Sequence, residues 1–191
     1  MANDSEATLL VVDDEKEVAD VYALKLEREY TVRVAYGGEE ALEKVDADVD
    51  VVLLDRRMPD KSGDDVLGEI RDRELDCRVI MITAVDPDFD IIEMPFDDYL
   101  CKPVESDDLL EAVRQQLRAR GYDDRLNQYY EVTSKLALLE AEKTPQELET
   151  NEDIAALRER AERLEAEMDE SLADFDDFEM AFREIGRHPG R

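Results

Sequence analysis

The stretch Val49-Asp50-Val51-Val52-Leu53-Leu54-Asp55-Arg56-Arg57-Met58-Pro59 decides the fold of this chain. Its centre is a run of β-branched and aliphatic residues, apolar on both faces, that ends at an acid and a turn. This pattern is typical of a fully buried central strand in a parallel sheet. We therefore predict that Asp55 lies at the carboxyl edge of the sheet, where open α/β folds place their chemistry.

Three further apolar runs also end in polar or charged residues. The runs at 9–12, 79–82 and 99–101 are followed by Asp13 and Asp14, by Thr83 and by Lys102, respectively. Because parallel strands share one carboxyl edge, we expect two acids, a hydroxyl and a lysine to converge on Asp55.

Such a cluster has a direct chemical interpretation. Three adjacent carboxylates repel one another and are tolerated when a hard cation such as Mg²⁺ lies between them. Asp55 can then act as a nucleophile toward a phosphoryl donor, while the Lys102 ammonium stabilises the charge on the transferred group. Thr83 would donate a hydrogen bond to the new phosphate.

Residues 7–120 resemble the receiver domain of two-component response regulators. The matching residues follow the family's order: Asp13, Asp14, Asp55 in a D-x-x-M-P turn, Thr83, Tyr99 and Lys102-Pro103. The plainer interpretation, that these acids are solvated loop residues, explains neither the lysine nor the order. The resemblance implies a doubly wound, flavodoxin-like parallel sheet of five strands. It also implies Mg²⁺ bound by Asp13, Asp14, Asp55 and the backbone carbonyl of Arg57.

The resemblance further implies a phosphoprotein switch. Asp55 would receive its phosphoryl group from a sensor histidine kinase, and Tyr99 would turn inward as Thr83 moves toward the phosphate. Arg57 and Val85, two residues past Asp55 and Thr83, would obstruct attacking water and make dephosphorylation slow. We expect a stoichiometric switch and no turnover enzyme. A phosphatase of the haloacid-dehalogenase type is disfavoured, because it needs an acid at the position that Arg57 occupies.

The segment 86–96 departs from the receiver pattern, which has a full helix after the fourth strand. Two prolines enclose only seven residues here, and proline cannot continue a helix cheaply. We predict a helix of two turns or fewer, or an irregular segment packed by Phe89, Ile92 and Phe96. An amphipathic helix should follow and end at Gly121.

Composition indicates a halophilic, cytoplasmic protein. The chain has 53 acidic and 24 basic side chains and a net charge of −29, as in proteins adapted to molar salt. No apolar run could span a membrane, and the N-terminus lacks a signal peptide. Cys77 and Cys101 are expected to be reduced, buried thiols. The single histidine, His188, is expected to be solvated, which argues against a histidine kinase.

The region 121–186 has a different periodicity. Two stripes at alternating steps of three and four residues predict helices with a coiled-coil seam, folded as an antiparallel hairpin. The stripes are Tyr122, Tyr129, Val132, Leu136 and Leu139, then Ile154, Leu157, Ala161, Leu164, Met168, Ser171, Phe175, Phe178, Phe182 and Ile185. The region resembles the HalX domain of haloarchaeal regulators. Segments 1–6 and 187–191 are predicted to be a disordered N-terminus and a tail.

The output of this helical region has two candidate forms. We favour a homodimerisation or partner-docking module, in which Phe175, Phe178 and Phe182 pack on a second subunit or on the receiver. The alternative is a DNA-binding transcriptional regulator. Residues 121–191 contain 20 acidic and 9 basic side chains, a local net charge of −11, and such a surface repels phosphate. DNA binding is therefore possible but disfavoured.

Overall fold

The computed structural model describes residues 7–84 and 89–184. The predicted disordered segment 1–6, the residue Val85 and the predicted tail 187–191 lie outside the described residues, as do the side chains of Phe89, Phe175, Phe178 and Phe182. The chain forms two compact units, the second spanning Arg118–Ala181. Within the described part of the chain, no helix is both long enough and apolar enough to cross a membrane.

The first unit contains one five-stranded parallel sheet, as predicted. Its strands are β1 (Thr8–Val12), β2 (Thr31–Ala35), β3 (Val51–Asp55), β4 (Arg78–Thr83) and β5 (Asp98–Cys101). Their order across the sheet is β2-β1-β3-β4-β5, and every pairing is parallel. All five residues of the central strand β3 are buried, because both faces of a doubly wound sheet are covered by helices.

Helices cover the sheet on both faces. They are α1 (Lys16–Leu26), α2 (Gly38–Lys44), α3 (Gly63–Asp72) and the first part of α4 (Ser106–Glu142). Buried residues of α2 and α3 share one apolar cluster with the sheet, and buried residues of α1 and α4 share the other. The sheet therefore has a separate core on each side, and its carboxyl edge stays open for a site.

The start of α3 is fixed tightly against the end of β3. The Ser62 side chain accepts a hydrogen bond from the Asp65 amide, and the Asp65 side chain bonds back to the Ser62 amide, forming a capping box. A Cβ added to Gly63 would lie 2.2 Å from the backbone oxygen of Asp55. Only glycine fits here, so this close approach sets the path of the chain after Asp55.

In the described residues 89–96 between β4 and β5, the predicted short helix is confirmed. It is a 3₁₀ helix of five residues, Phe89–Glu93. The predicted packing was partly wrong, because Ile92 is 75% exposed, whereas Ile91, Met94 and Phe96 pack against the core. Residues three apart lie on the same face of a 3₁₀ helix. Ile91 and Met94 therefore share the inner face, and Ile92 points away from it.

The prediction that Gly121 ends a helix was wrong. The helix α4 runs from Ser106 to Glu142, 37 residues, straight through Gly121. A glycine inside a helix costs only about 1 kcal/mol relative to alanine. The long helix on both sides of Gly121 outweighs that cost, and Gly121 itself does not have the left-handed conformation of a helix-ending glycine.

The second unit is a helical hairpin, as predicted. After α4 come the short helix α5 (Pro145–Glu149), capped by Thr144, and α6 (Glu152–Glu184). Arg158 on α6 forms an ion pair of 2.9 Å with Glu140 on α4. Every described position of the two predicted stripes is buried or half-buried, the side chains of Ser171 and Ile185 lie outside the described residues, and the coiled coil stays a prediction. The predicted positions that are buried or half-buried are Tyr122, Tyr129, Val132, Leu136, Leu139, Ile154, Leu157, Ala161, Leu164 and Met168.

Candidate functional site

Four of the predicted side chains meet at the carboxyl edge of the sheet. Asp13 and Asp14 directly follow β1, Asp55 ends β3, and Lys102 follows β5. One carboxylate oxygen from each of the three aspartates lies within 4.8 Å of the others. The order of strands explains this convergence, because β1 and β3 are neighbours and parallel.

Lys102 binds Asp13 more closely than Asp55. Its Nζ lies 2.6 Å from Asp13 Oδ2 and 3.5 Å from Asp55 Oδ2. Asp13 also accepts a hydrogen bond of 3.0 Å from the backbone amide of Glu15. From the sequence we predicted that Lys102 would stabilise the charge on a phosphoryl group transferred to Asp55. The sequence did not indicate the shorter ion pair with Asp13.

The surroundings of Asp55 penalise its ionised form when no cation is bound. Burial raises the pKa of Asp55 from 3.8 to about 6; the Lys102 charge opposes this rise, the Asp13 charge adds to it, and the Arg57 amide lowers the pKa by donating a hydrogen bond. Burial alone would lower the pKa of Lys102, but its hydrogen bond with Asp13 and the two carboxylate charges raise the pKa overall. The three aspartates of the site are therefore only partly neutralised by the single Lys102 ammonium.

The residues of the site fit a magnesium ion. The aspartate cluster supplies only oxygen ligands, which Mg²⁺ prefers over nitrogen or sulfur. Asp13 and Asp55 are 2% and 6% exposed, and Asp14 is half-buried, so part of a bound ion would remain open to water or substrate. The backbone carbonyl of Arg57 as a further ligand stays a prediction.

Thr83 and Tyr99 lie on the strands next to this cluster. Thr83 ends β4 and is fully buried, and β4 pairs with β3 so that Ile82 lies opposite Asp55. Tyr99 lies in β5, is 6% exposed, and packs its ring 5.6 Å from that of Phe96. Any inward movement of Tyr99 would start from a side chain that is already buried.

The residues predicted to obstruct attacking water are Arg57 and Val85. Arg57 is exposed, and Val85 lies outside the described residues, so their role remains a prediction. Sequence reasoning missed Gly63, whose contact with the backbone of Asp55 shapes the site. The only available signal was a glycine at the first position of a helix.

Comparison with known families agrees with this geometry. Residues 9–114 match the family model described as the response regulator receiver domain, and residues 118–184 match the model described as the HalX domain. A Haloferax volcanii protein that bears the name of a transcriptional regulator is 47% identical over 169 residues. Those residues cover 88% of this chain but only 29% of the relative.

Two solved structures show the same fold for the receiver part. A CheY-like receiver domain from Methanospirillum hungatei is 27% identical, with a TM-score of 0.58, covering 62% of this chain and 99% of its own. The Thermotoga maritima response regulator TrrA, solved in complex with Mg²⁺-BeF, is 34% identical, with a TM-score of 0.51, covering 58% and 99%. The chain belongs to the response regulator family, with a receiver domain followed by a HalX domain.

Proposed function

We propose that Asp55 accepts a phosphoryl group from the phosphohistidine of a sensor histidine kinase. The observation that supports this most is the buried Asp55 carboxylate between Asp13, Asp14 and the Lys102 ammonium. The response regulator TrrA, which is 34% identical and was solved in complex with Mg²⁺-BeF, supports a Mg²⁺ site at these positions.

The transfer is a displacement at phosphorus. A carboxylate oxygen of Asp55 forms the new O–P bond while the P–N bond to the kinase imidazole breaks; the leaving nitrogen keeps the electron pair and takes a proton from solvent, so the imidazole leaves neutral. Bound Mg²⁺, held by Asp13, Asp14 and Asp55, would supply positive charge for the phosphoryl oxygens. Lys102 shifts from Asp13 toward the new phosphate, and the Thr83 hydroxyl donates a hydrogen bond to it.

The product is a signalling state. The protein is a stoichiometric switch with slow self-dephosphorylation, and the exposed guanidinium of Arg57 hinders attacking water. Thr83 and Tyr99 convert the new charge into an altered surface, and the HalX hairpin relays that change through dimerisation or docking of a partner.

The test is covalent labelling by acetyl phosphate and Mg²⁺ in molar KCl, measured by intact mass. The parent chain should gain one phosphoryl group, and Asp55→Asn should gain none. Asp60→Asn is the matched control: Asp60 is exposed and has a φ of 66°, a conformation that asparagine tolerates. Equal labelling of both variants would place the acceptor elsewhere.

Lys102→Ala separates charge stabilisation from metal binding. The variant should bind Mg²⁺ at least as tightly as the parent by calorimetry, because Asp13 loses its competing ammonium. Labelling should nevertheless slow by roughly a hundredfold, the scale of losing one positioned charge at a transition state. Loss of Mg²⁺ binding would show that Lys102 only maintains the shape of the site.

DNA binding is the second candidate for the output, because the Haloferax volcanii relative bears the name of a transcriptional regulator. The cluster of Arg158, Arg160 and Arg163 is its main support in the sequence. In the structure, Arg158 forms an ion pair with Glu140, and Arg160 donates a hydrogen bond of 3.1 Å to Gln128. Fluorescence anisotropy against genomic fragments in high salt tests this candidate, and salt-sensitive binding would favour it over partner docking.

A further inference from the structure

Between Asn127 and Ala141, one face of α4 carries no charged residue and, within the described part of the chain, is not covered by another helix. Every member of this face, here called the outer stripe, is exposed. The members are Asn127, Tyr130, Ser134, Ala137, Leu138 and Ala141. Five of them follow steps of three, four, three and four residues, which place them on one side of a helix. In a chain with 40% charged residues, an uncharged face of this length is unusual.

The outer stripe lies opposite the seam that closes the hairpin. The inner face consists of Val132, Leu136 and Leu139, which are buried or half-buried. The outer stripe therefore takes no part in the packing of α4 against α6. Tyr130 is 60% exposed and Leu138 is 70% exposed. Large apolar side chains grouped on one exposed face mark an interaction surface.

We propose that the outer stripe pairs with the outer stripe of a second copy of this chain, with the two α4 helices antiparallel. A two-fold axis at Ser134 makes the stripe complementary to itself. Tyr130 then faces Leu138 of the partner subunit, and Asn127 faces Ala141 of the partner subunit. The small residues between them let the helices approach closely.

The charges beside the stripe select the antiparallel arrangement. Glu131 and Lys135 flank it on one side, and Lys135 is the only basic residue between 126 and 142. In an antiparallel pair, equivalent flanks of the two helices meet, so Glu131 faces Lys135 of the partner subunit and Lys135 faces Glu131 of the partner subunit. Within one chain these two side chains pair with each other, and both are more than half exposed, so they can exchange partners across the interface.

This inference rests on the part of the proposed function that assigns dimerisation to the HalX hairpin, and it names the surface. The stripe spans 14 helical steps, about 21 Å, which gives an interface at the small end of the range for stable complexes. Such a dimer dissociates readily, as a signal-dependent contact requires.

The first experiment is light scattering on the full chain in molar KCl over a series of concentrations. The parent should approach twice the chain mass of 22.0 kDa. Leu138→Glu should weaken dimerisation by at least about tenfold, because it places a carboxylate in the interface. Leu24→Glu is the matched control, since Leu24 on α1 is 67% exposed; its mass profile should equal that of the parent.

The second experiment uses cysteine cross-linking to determine the arrangement. Ser134→Cys lies on the proposed axis and should form a disulfide-linked dimer under mild oxidation. Ala141→Cys lies about 10.5 Å along the helix from the axis, so its two copies are about 21 Å apart and should not react. The native Cys77 and Cys101 are buried and give little background.

Each other outcome overturns the inference. A parent that stays monomeric at every concentration, or a dimer that survives Leu138→Glu, removes the outer stripe as the interface. Cross-linking at both cysteine positions indicates a parallel pair instead. Labelling of Asp55 is measured on the same samples: a monomer that takes the label refutes only the dimer, whereas an unlabelled dimer refutes only phosphoryl acceptance.

Discussion

The receiver buries charged side chains, whereas the hairpin keeps its described charged side chains at the surface. In the receiver, Asp13 and Asp55 are buried and meet the half-buried Asp14 and Lys102 in one site. In the described hairpin the buried residues are all apolar, and its ion pairs, such as Arg158 with Glu140, are at the surface. Among the described residues, buried charged side chains are therefore found in the first unit, and the charged side chains of the second lie at its surface. Four predictions test this contrast, from the largest expected effect to the smallest.

The largest effect is expected at the turn after the acceptor. Gly63→Ala should lower the free energy of unfolding by about 3 kcal/mol, because the new methyl group would overlap the backbone of Asp55 and the turn must move. Denaturant unfolding of the metal-free chain measures the change. Gly68→Ala in the same helix is the control: a methyl group there would meet no atom within 4 Å and should be neutral or stabilising by up to about 1 kcal/mol. Equal effects at both glycines would contradict the close approach.

The next effect concerns the apolar seam of the hairpin. Leu164 is 7% exposed, and Leu164→Ala should cost about 2 kcal/mol through lost burial and a cavity. Thermal unfolding followed by far-UV circular dichroism reports the change. Leu138→Ala, measured at dilutions where the chain is monomeric, should cost less than about 0.5 kcal/mol. A larger loss at Leu138 would show that the exposed side of α4 supports the monomer.

The third effect is a pH dependence at the acceptor. Asp55 has a pKa of about 6 in the folded, metal-free chain against an ordinary value of 3.8. The folded state therefore binds the proton more tightly, and the stability that this provides is lost as pH rises through about 6. Asp55→Asn cannot ionise, so in EDTA it should be more stable than the parent by about 1–3 kcal/mol at pH 8.

Well below the ordinary pKa of 3.8 this difference should almost disappear, because Asp55 is then protonated in both the folded and the unfolded parent. Unfolding curves of the parent and Asp55→Asn over this pH range provide the check. A difference that is constant with pH would mean that the carboxylate is not penalised by its surroundings.

The smallest effect belongs to the surface pair of the hairpin. Arg158→Ala should change the free energy of unfolding by less than about 0.5 kcal/mol, because both partners of the pair are nearly half exposed and molar salt screens them. Circular dichroism melts in high salt are the measurement. A loss above about 1 kcal/mol would mean that cross-helix ion pairs, and not the seam, hold the hairpin together.

The two units also differ in how far the sequence predicts them. Buried strands that end in acids give the order and edge of the sheet, so Asp13, Asp55 and Lys102 can be placed together from the sequence. The heptad steps give the seam of the hairpin equally well. At Gly121 the local pattern predicted a helix end, but the cost of one glycine is small and the helix continues through it. At Ile92 the pattern predicted a buried side chain, but the 3₁₀ geometry of the helix directs it to solvent. The contact of Gly63 with Asp55 depends on tertiary packing, which no periodicity encodes.

The contact between Lys102 and Asp13 has a consequence for how the switch responds to ions. The ammonium lies 2.6 Å from Asp13 Oδ2, which would be one of the Mg²⁺ ligands under the proposed function. Binding of Mg²⁺ would then replace the Lys102 ammonium beside Asp13 with the metal ion. Under that proposal, Lys102 would compete with a dissolved cation for Asp13, and a single side chain far along the sequence from the aspartates would adjust the cation concentration needed for activation.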